Sequence, residues 1–245
     1  MFNNTTTVIT GAASGIGAAT ARQISDLGGD VVLLDIDADR GGKLAEELGQ
    51  TFVKLDVTNY EAWQSAFASI NPTNPLTYAF INAGIQIAPP QAPMAEYEFL
   101  NMQMDRYRNM MGVNVDGVVF GLLTLIPILK PGGSIVVTSS LAGVTPYSVD
   151  PLYSMSKHAV TGLVRSLAPT CSKHDLTINA ICPGGVDTNI IPEEQRTEAA
   201  VFMDANDIAE EVVMLMETET TGKTWAKVAT SKPAWVIRAP GDKER

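Results

Sequence analysis

The sequence predicts an α/β chain: a parallel sheet of about seven strands, doubly wound, with helices on both faces. Three observations predict it. Short apolar runs alternate with helical stretches along the 245 residues, and alternation of that kind builds a parallel sheet because each crossover helix folds back onto it. Strand after strand ends in small, polar or turn-forming residues, and that carboxyl edge is where such sheets bind ligands. No linker, repeat or low-complexity block divides the chain, so residues 1–245 read as one domain, with the tail from about residue 230 left to cover a pocket or pack on another subunit.

The elements follow in order. Residues 6–10 (TTVIT) are a short buried strand leading into Gly11-Ala12-Ala13-Ser14-Gly15-Ile16-Gly17 and a helical stretch over 18–27. Residues 31–34 (VVLL) form the second strand and end in Asp35-Ile36, before a polar helix near 40–48. Residues 52–57 are a third strand ending in Asp56-Val57, followed by a helix from about 60 to 70. The fourth strand, 77–82, closes on Asn82-Ala83-Gly84, and a long helical pattern then runs over about 99–129. Residues 134–140 are the fifth strand, 152–172 the next helix, 177–182 the sixth strand, 206–216 a further helix and 224–228 the last strand.

Chemistry enters at the strand ends. In the glycine run, Gly11 suits a tight turn, Gly15 a close backbone approach and Gly17 tight helix-on-strand packing, while Ser14, Ile16 and the helix start present N–H groups suited to phosphates. An acid at the end of the second strand can accept both ribose hydroxyls of a dinucleotide. Asp35 holds that position, and with Asp37 and Asp39 nearby and no basic residue in the glycine loop it favours NAD over NADP, whose 2′-phosphate would meet a carboxylate. The competing readings are plain: a glycine-rich turn can be structural punctuation, and an aspartate there can cap a turn.

On the helix over 152–172, Tyr153 and Lys157 stand four residues apart, so a phenol lies beside an ammonium. A neighbouring cation favours the phenolate, which makes this tyrosine a candidate acid/base near neutral pH. By itself that spacing is common on any solvated helix face.

Composition narrows the classes. The net charge of −10, with no basic stripe, argues against nucleic acid or an anionic membrane as partner. The longest apolar stretch, around 118–129, is interrupted by Gly121, Thr124 and Pro127 and is too short to span a bilayer. The N-terminus shows no signal core, which points to the cytosol. Cys171 and Cys182 have no ligand or disulfide pattern and read as small buried hydrophobes, and His158 and His174 lack zinc spacing, so no metal is expected.

Taken in order, Thr10 to Gly17, Asp56-Val57, Asn82-Ala83-Gly84, Asn114, Ser140, Tyr153 with Lys157, and Pro183-Gly184 leading to Thr188 resemble the short-chain dehydrogenase/reductase family over nearly the whole chain. The resemblance implies a Rossmann-type fold and a tetrad of Asn114, Ser140, Tyr153 and Lys157. In it Tyr153 exchanges the alcohol proton while hydride passes between substrate carbon and nicotinamide, Ser140 holds the substrate oxygen, Lys157 lowers the tyrosine pKa and reaches the nicotinamide ribose, and Asn114 holds a water linking Lys157 to solvent. Thr188 would bond the carboxamide, with Pro183, Gly184 and Val186 beside the ring. Ser139 offers a rival hydroxyl on the opposite strand face, but the family's spacing to the tyrosine fits Ser140. Asn114 has a rival role as a side chain bonded only to backbone, and Pro183-Gly184 as an ordinary turn.

The chain also departs from the family pattern. Ile81 replaces the first asparagine of Asn-Asn-Ala-Gly, and the usual Val-Asp-Gly-Gly ending is absent. The segment 86–111 is long and carries Met94, Met102, Met104, Met110 and Met111, either core filler or an adaptable substrate wall. A short lid between Thr188 and Asp204 suggests an open pocket. Wall candidates Met94, Leu141, Ala142, Tyr147, Ile190 and Ile191 are largely apolar, which points to a neutral hydrophobic alcohol or ketone such as a hydroxysteroid, a hydroxy-lipid or prostaglandin-like molecule, or an aryl alcohol. The alternatives are an NADPH-dependent ketoacyl-thioester reductase and an NAD-sensing protein without turnover. The family further implies a homodimer or homotetramer built on the 99–129 and 152–172 helices.

Overall fold

Alternation along the strands decides the architecture. In the computed structural model, which describes residues 2–197 and 200–239, Val8, Val32, Leu34, Ala79, Ile81, Ile135 and Val137 join one apolar core, while Ile9, Val31, Leu33, Phe80, Val136 and Ile181 join another. Successive strand residues point to opposite faces, so both faces are apolar and both need covering.

The strands are β1 (Thr6–Thr10), β2 (Asp30–Asp35), β3 (Thr51–Lys54), β4 (Leu76–Ile81), β5 (Ser134–Thr138), β6 (Thr177–Pro183), β7 (Thr224–Lys227) and β8 (Trp235–Val236). They form one sheet in the order β3-β2-β1-β4-β5-β6-β7-β8. All neighbours are parallel except β7 and β8, which are antiparallel. Helices α1 (Gly15–Asp26), α2 (Ala38–Leu48) and α7 (Ala205–Met216) supply the second core, whereas α3 (Tyr60–Ser69), α5 (Gly117–Leu125) and α6 (Pro151–Lys173) cover the first. Strand order reverses between β1 and β4, which opens the crevice that α/β sheets use for ligands.

The eighth strand comes from the tail. Trp225 pairs with Val236 and Ala226 with Trp235, so the described tail residues extend the sheet edge. Residues 240–245, the rest of that tail, lie outside the described part. A buried ion pair explains the placement: Lys227 Nζ donates to Glu211 at 2.9 Å and to the Lys232 carbonyl at 2.7 Å, and the Ala234 N–H donates to the same Glu211 oxygen.

The expected helix over 99–129 begins later and is interrupted. Phe99 and Leu100 are exposed and lie before α4 (Met104–Met111), which passes through a π-helical turn, Gly112–Asp116, into α5. Such a turn admits an extra residue without ending the helix. The glycines at its ends allow close contact, since a Cβ on Gly117 would lie 2.9 Å from Val57 Cγ2 and one on Gly112 would lie 3.3 Å from Thr58 Cγ2.

Candidate active site

A cavity of about 640 Å³ lies at the carboxyl edge of the sheet and runs from the β1–β4 crevice to β6. At one end stands the glycine loop. Gly11 and Gly15 have φ of +62° and +52°, a region that favours glycine. Side chains would also collide there: a Cβ on Gly11 would be 2.9 Å from Ala83 Cα, and one on Gly15 2.9 Å from Thr188 Cγ2. Gly17 sits behind the cavity wall, where a Cβ would be 2.1 Å from the Gly11 carbonyl oxygen, as expected for a packing glycine. Ser14 caps α1 without a side-chain hydrogen bond, and Ser14, Gly15 and Ile16 line the cavity.

Asp35 is held in place by two backbone donors, Ala13 N–H at 2.9 Å and Asp37 N–H at 2.9 Å. Asp35, Ile36, Asp56 and Val57 all line the same end. These features fit an adenine dinucleotide: glycines leave backbone room for a pyrophosphate, and an oriented carboxylate ends β2.

The crevice is stitched across three strands. Thr10 Oγ1 accepts from the N–H groups of Asn82 and Ala83, Asn82 Nδ2 donates to the carbonyls of Thr10 and Gly11, and Thr138 Oγ1 donates to Asn82 Oδ1 at 3.0 Å. Lys157 Nζ then donates to the Thr138 carbonyl at 2.9 Å. Thr138 escapes sequence reasoning because threonine is an ordinary strand residue.

Tyr153, Lys157 and Ser140 meet at the other end. The Ser140 hydroxyl lies beside the Tyr153 phenol and favours its ionisation, and it accepts from Ala142 N–H at 3.1 Å. Ser139 faces away, bonded to the Lys157 carbonyl and to Thr161, so of the two serines only Ser140 meets the phenol. Burial pushes the Tyr153 phenol well above its ordinary pKa, with Ser140 pulling the other way. Burial also lowers Lys157 to about 8. In the free protein burial outweighs the expected effect of Lys157 on the tyrosine: Nζ bonds the Thr138 carbonyl and lies 5.7 Å from the Tyr153 ring centroid.

Asn114 does not line the cavity. From the π-helical turn its Oδ1 accepts from Ile85 N–H, and its Nδ2 donates to the Ile85 carbonyl and to Ser156. It lies behind Gly84, where a Cβ would be 3.3 Å from Lys157 Nζ and 3.4 Å from Asn114 Oδ1. Asn82, Ala83, Gly84, Pro183, Gly184, Val186 and Thr188 all line the cavity. Gly184 N–H is fixed by the Lys227 carbonyl at 2.8 Å.

The substrate side combines expected and unexpected residues. Leu141, Ala142, Tyr147, Ile190 and Ile191 line it, and Ile85, Gln86, Ala88, Arg106, Gln195 and Phe202 join them. Met94 lies outside the wall, as a sulfur acceptor behind Gln195 at 3.4 Å. The other methionines do not line it either: Met110, with Met102 and Met111 against it, belongs to a small core with Ile87, Leu152 and Tyr153, and Met104 is exposed. Nor does the lid stand apart. Glu193 N–H donates to the Pro90 carbonyl, Glu194 accepts from Met94 N–H, and Tyr147 donates to Gln195 at 3.1 Å, bridging the mouth.

Three comparisons bear on this geometry. A model of short chain dehydrogenases matches residues 5–199. A mitochondrial borneol dehydrogenase from Lavandula x intermedia is 30% identical over 87% of this chain and 83% of its own, and a 3β-hydroxysteroid dehydrogenase from Mediterraneibacter gnavus is 32% identical over 85% and 74%. A solved short chain dehydrogenase/reductase superposes with a TM-score of 0.80 at 26% identity, covering 93% of this chain and 97% of that one. With the motifs in order and the cavity at the expected edge of the sheet, the chain belongs to the short-chain dehydrogenase/reductase family of oxidoreductases.

Proposed function

We propose that this protein interconverts a secondary alcohol and a ketone with NAD, using Tyr153 as the general acid/base. The observation that carries the reading is one cavity with Tyr153, Ser140 and Lys157 at one end and the oriented Asp35 carboxylate at the other. A nicotinamide dinucleotide, held by the glycine loop and Asp35, would supply the hydride acceptor or, in its reduced form, the donor. Tyr153 keeps its proton in the free protein because its phenol is buried. Ser140 orients the substrate oxygen against the phenol, Lys157 stands beside the phenol with its Nζ anchored on the Thr138 carbonyl, and Asn114 keeps Ile85 and Ser156 in place as a positioning residue.

The substrate is neutral and fairly hydrophobic, consistent with the wall at Leu141, Ala142, Tyr147, Ile190 and Ile191. The wall suits a ring alcohol, and borneol and 3β-hydroxysteroids, for which the two relatives are named, are ring alcohols. Exposed Leu123, Ile128 and Met155 on or beside α5 and α6 support a homodimer or homotetramer. Cofactor preference tests the reading: with a ring alcohol, kcat/KM for NAD exceeds that for NADP, and the reverse order would overturn the role given to Asp35.

A further inference from the structure

Asp150 is a buried carboxylate, 2% exposed, that stands behind the cavity and does not line it. The helix α6 starts from it: Oδ1 accepts from Tyr153 N–H at 2.8 Å, and Pro151 takes the first helical position. Serine, threonine or asparagine can also cap a helix without bringing a charge into the interior. A buried charge is costly unless it is paired and hydrogen-bonded, so the cap alone does not account for an aspartate at this position.

The second oxygen supplies the reason. Oδ2 accepts from Ile87 N–H at 2.9 Å, across 63 residues of sequence. Arg106, on α4, holds the same segment from its carbonyl side, donating to Gln86 and Ile87 at 3.0 and 2.6 Å, and its charge acts on Asp150. Burial pushes the Asp150 carboxyl up, and its backbone donors together with Arg106 oppose that. Ile85, Gln86 and Ala88 line the cavity, while Ile87 packs into the small core with Leu152 and Tyr153. One carboxylate therefore ties a stretch of cavity wall to the first turn of the helix that carries Tyr153. Any action it has on a substrate passes through those two backbone bonds.

Resting on the alcohol dehydrogenase reading, we propose that Asp150 is a positioning residue: with Arg106 as its partner it holds the wall segment 85–88 against the Tyr153 helix, so that a ring alcohol meets a preformed wall with its oxygen at the phenol. A wall fixed before binding need not be ordered by the substrate, and that preorganisation appears as affinity. The two bonds can be removed separately. Asp150→Ser keeps a cap for Tyr153 N–H but has no second oxygen for Ile87, whereas Asp150→Ala loses both. With NAD and a cyclic secondary alcohol, Asp150→Ser should raise KM for the alcohol about tenfold or more with kcat within about threefold of wild type, and Asp150→Ala should lower kcat as well. NADH affinity should stay close to wild type in both. Hydrogen exchange gives a readout independent of turnover: Ile87 N–H should exchange about tenfold faster or more in Asp150→Ser, with 153–157 as protected as in wild type. Arg106→Gln frees the same segment without touching the cap; it should also raise KM, and combined with Asp150→Ser it should raise KM by less than the product of the two single effects. A residue that only supports the fold would leave KM unchanged in Asp150→Ser, activity falling with the folded fraction alone. That result, unchanged exchange at Ile87, or independent effects of the Asp150 and Arg106 substitutions would overturn the proposal. Failure of the underlying reading has a separate signature, no reduced cofactor from any alcohol with either dinucleotide in wild type, and overturns both.

Discussion

Tyr153 shows how a single residue's chemistry depends on its surroundings. Burial holds it protonated and Ser140 favours ionisation, so a tyrosinate difference spectrum of wild type against Tyr153→Phe should show no phenolate from this residue below about pH 10, the unperturbed value. Lys157 gives a second residue-scale prediction. Its folded pKa of about 8 lies below the ordinary lysine value of 10.5, so between those limits the unfolded chain binds more protons and stability rises with pH; below about 8 both states are protonated and the contribution is flat. Relative to Lys157→Met, wild type should gain on the order of 3 kcal/mol from pH 8 to 10.5, measured by denaturant unfolding. A difference that falls over that window would contradict the burial. At the other end of the cavity, Asp35→Ala should lower the NAD over NADP ratio of kcat/KM by about tenfold or more, the equivalent of one charge-assisted contact.

At the scale of elements, the glycine loop and the π-helical turn do different work. Gly17→Ala places a methyl against the Gly11 carbonyl, backbone that cannot step aside; overpacking of this kind costs about 1–3 kcal/mol, and both Tm and dinucleotide affinity should fall. The loop was legible in the sequence because its glycines answer to local sterics. The break between α4 and α5 was not, because the apolar pattern continues through 112–117 and nothing local distinguishes a π turn from an α turn. The function of Asn114 depends on that turn, so its partners Ile85 and Ser156 were hidden as well. Of the two readings of the methionines, core filler holds for Met110, with Met102 and Met111 packed against it; helical spacing alone could not tell that core from the substrate wall.

For the whole molecule, alternation of strands and helices determined seven of the eight strands. The eighth depends on Lys227 and Glu211 meeting across 16 residues of sequence, a pairing that composition cannot reveal. Breaking a buried pair by removing one partner costs about 3–5 kcal/mol. Glu211→Ala should therefore lower the Tm by roughly 6–20 °C for a chain of this size, and because the Lys227 carbonyl also holds Gly184 N–H, it should weaken NADH binding too. An unchanged Tm would mean that the tail is not anchored through this pair.

The most direct test of the central claim is alcohol-dependent formation of reduced cofactor by wild type and by Tyr153→Phe, with NADH binding measured in parallel. General acid/base catalysis is worth about 10²–10⁴-fold, so the substitution should lower turnover by at least that lower bound while NADH affinity stays close to wild type. Turnover at the wild-type rate by Tyr153→Phe would contradict it.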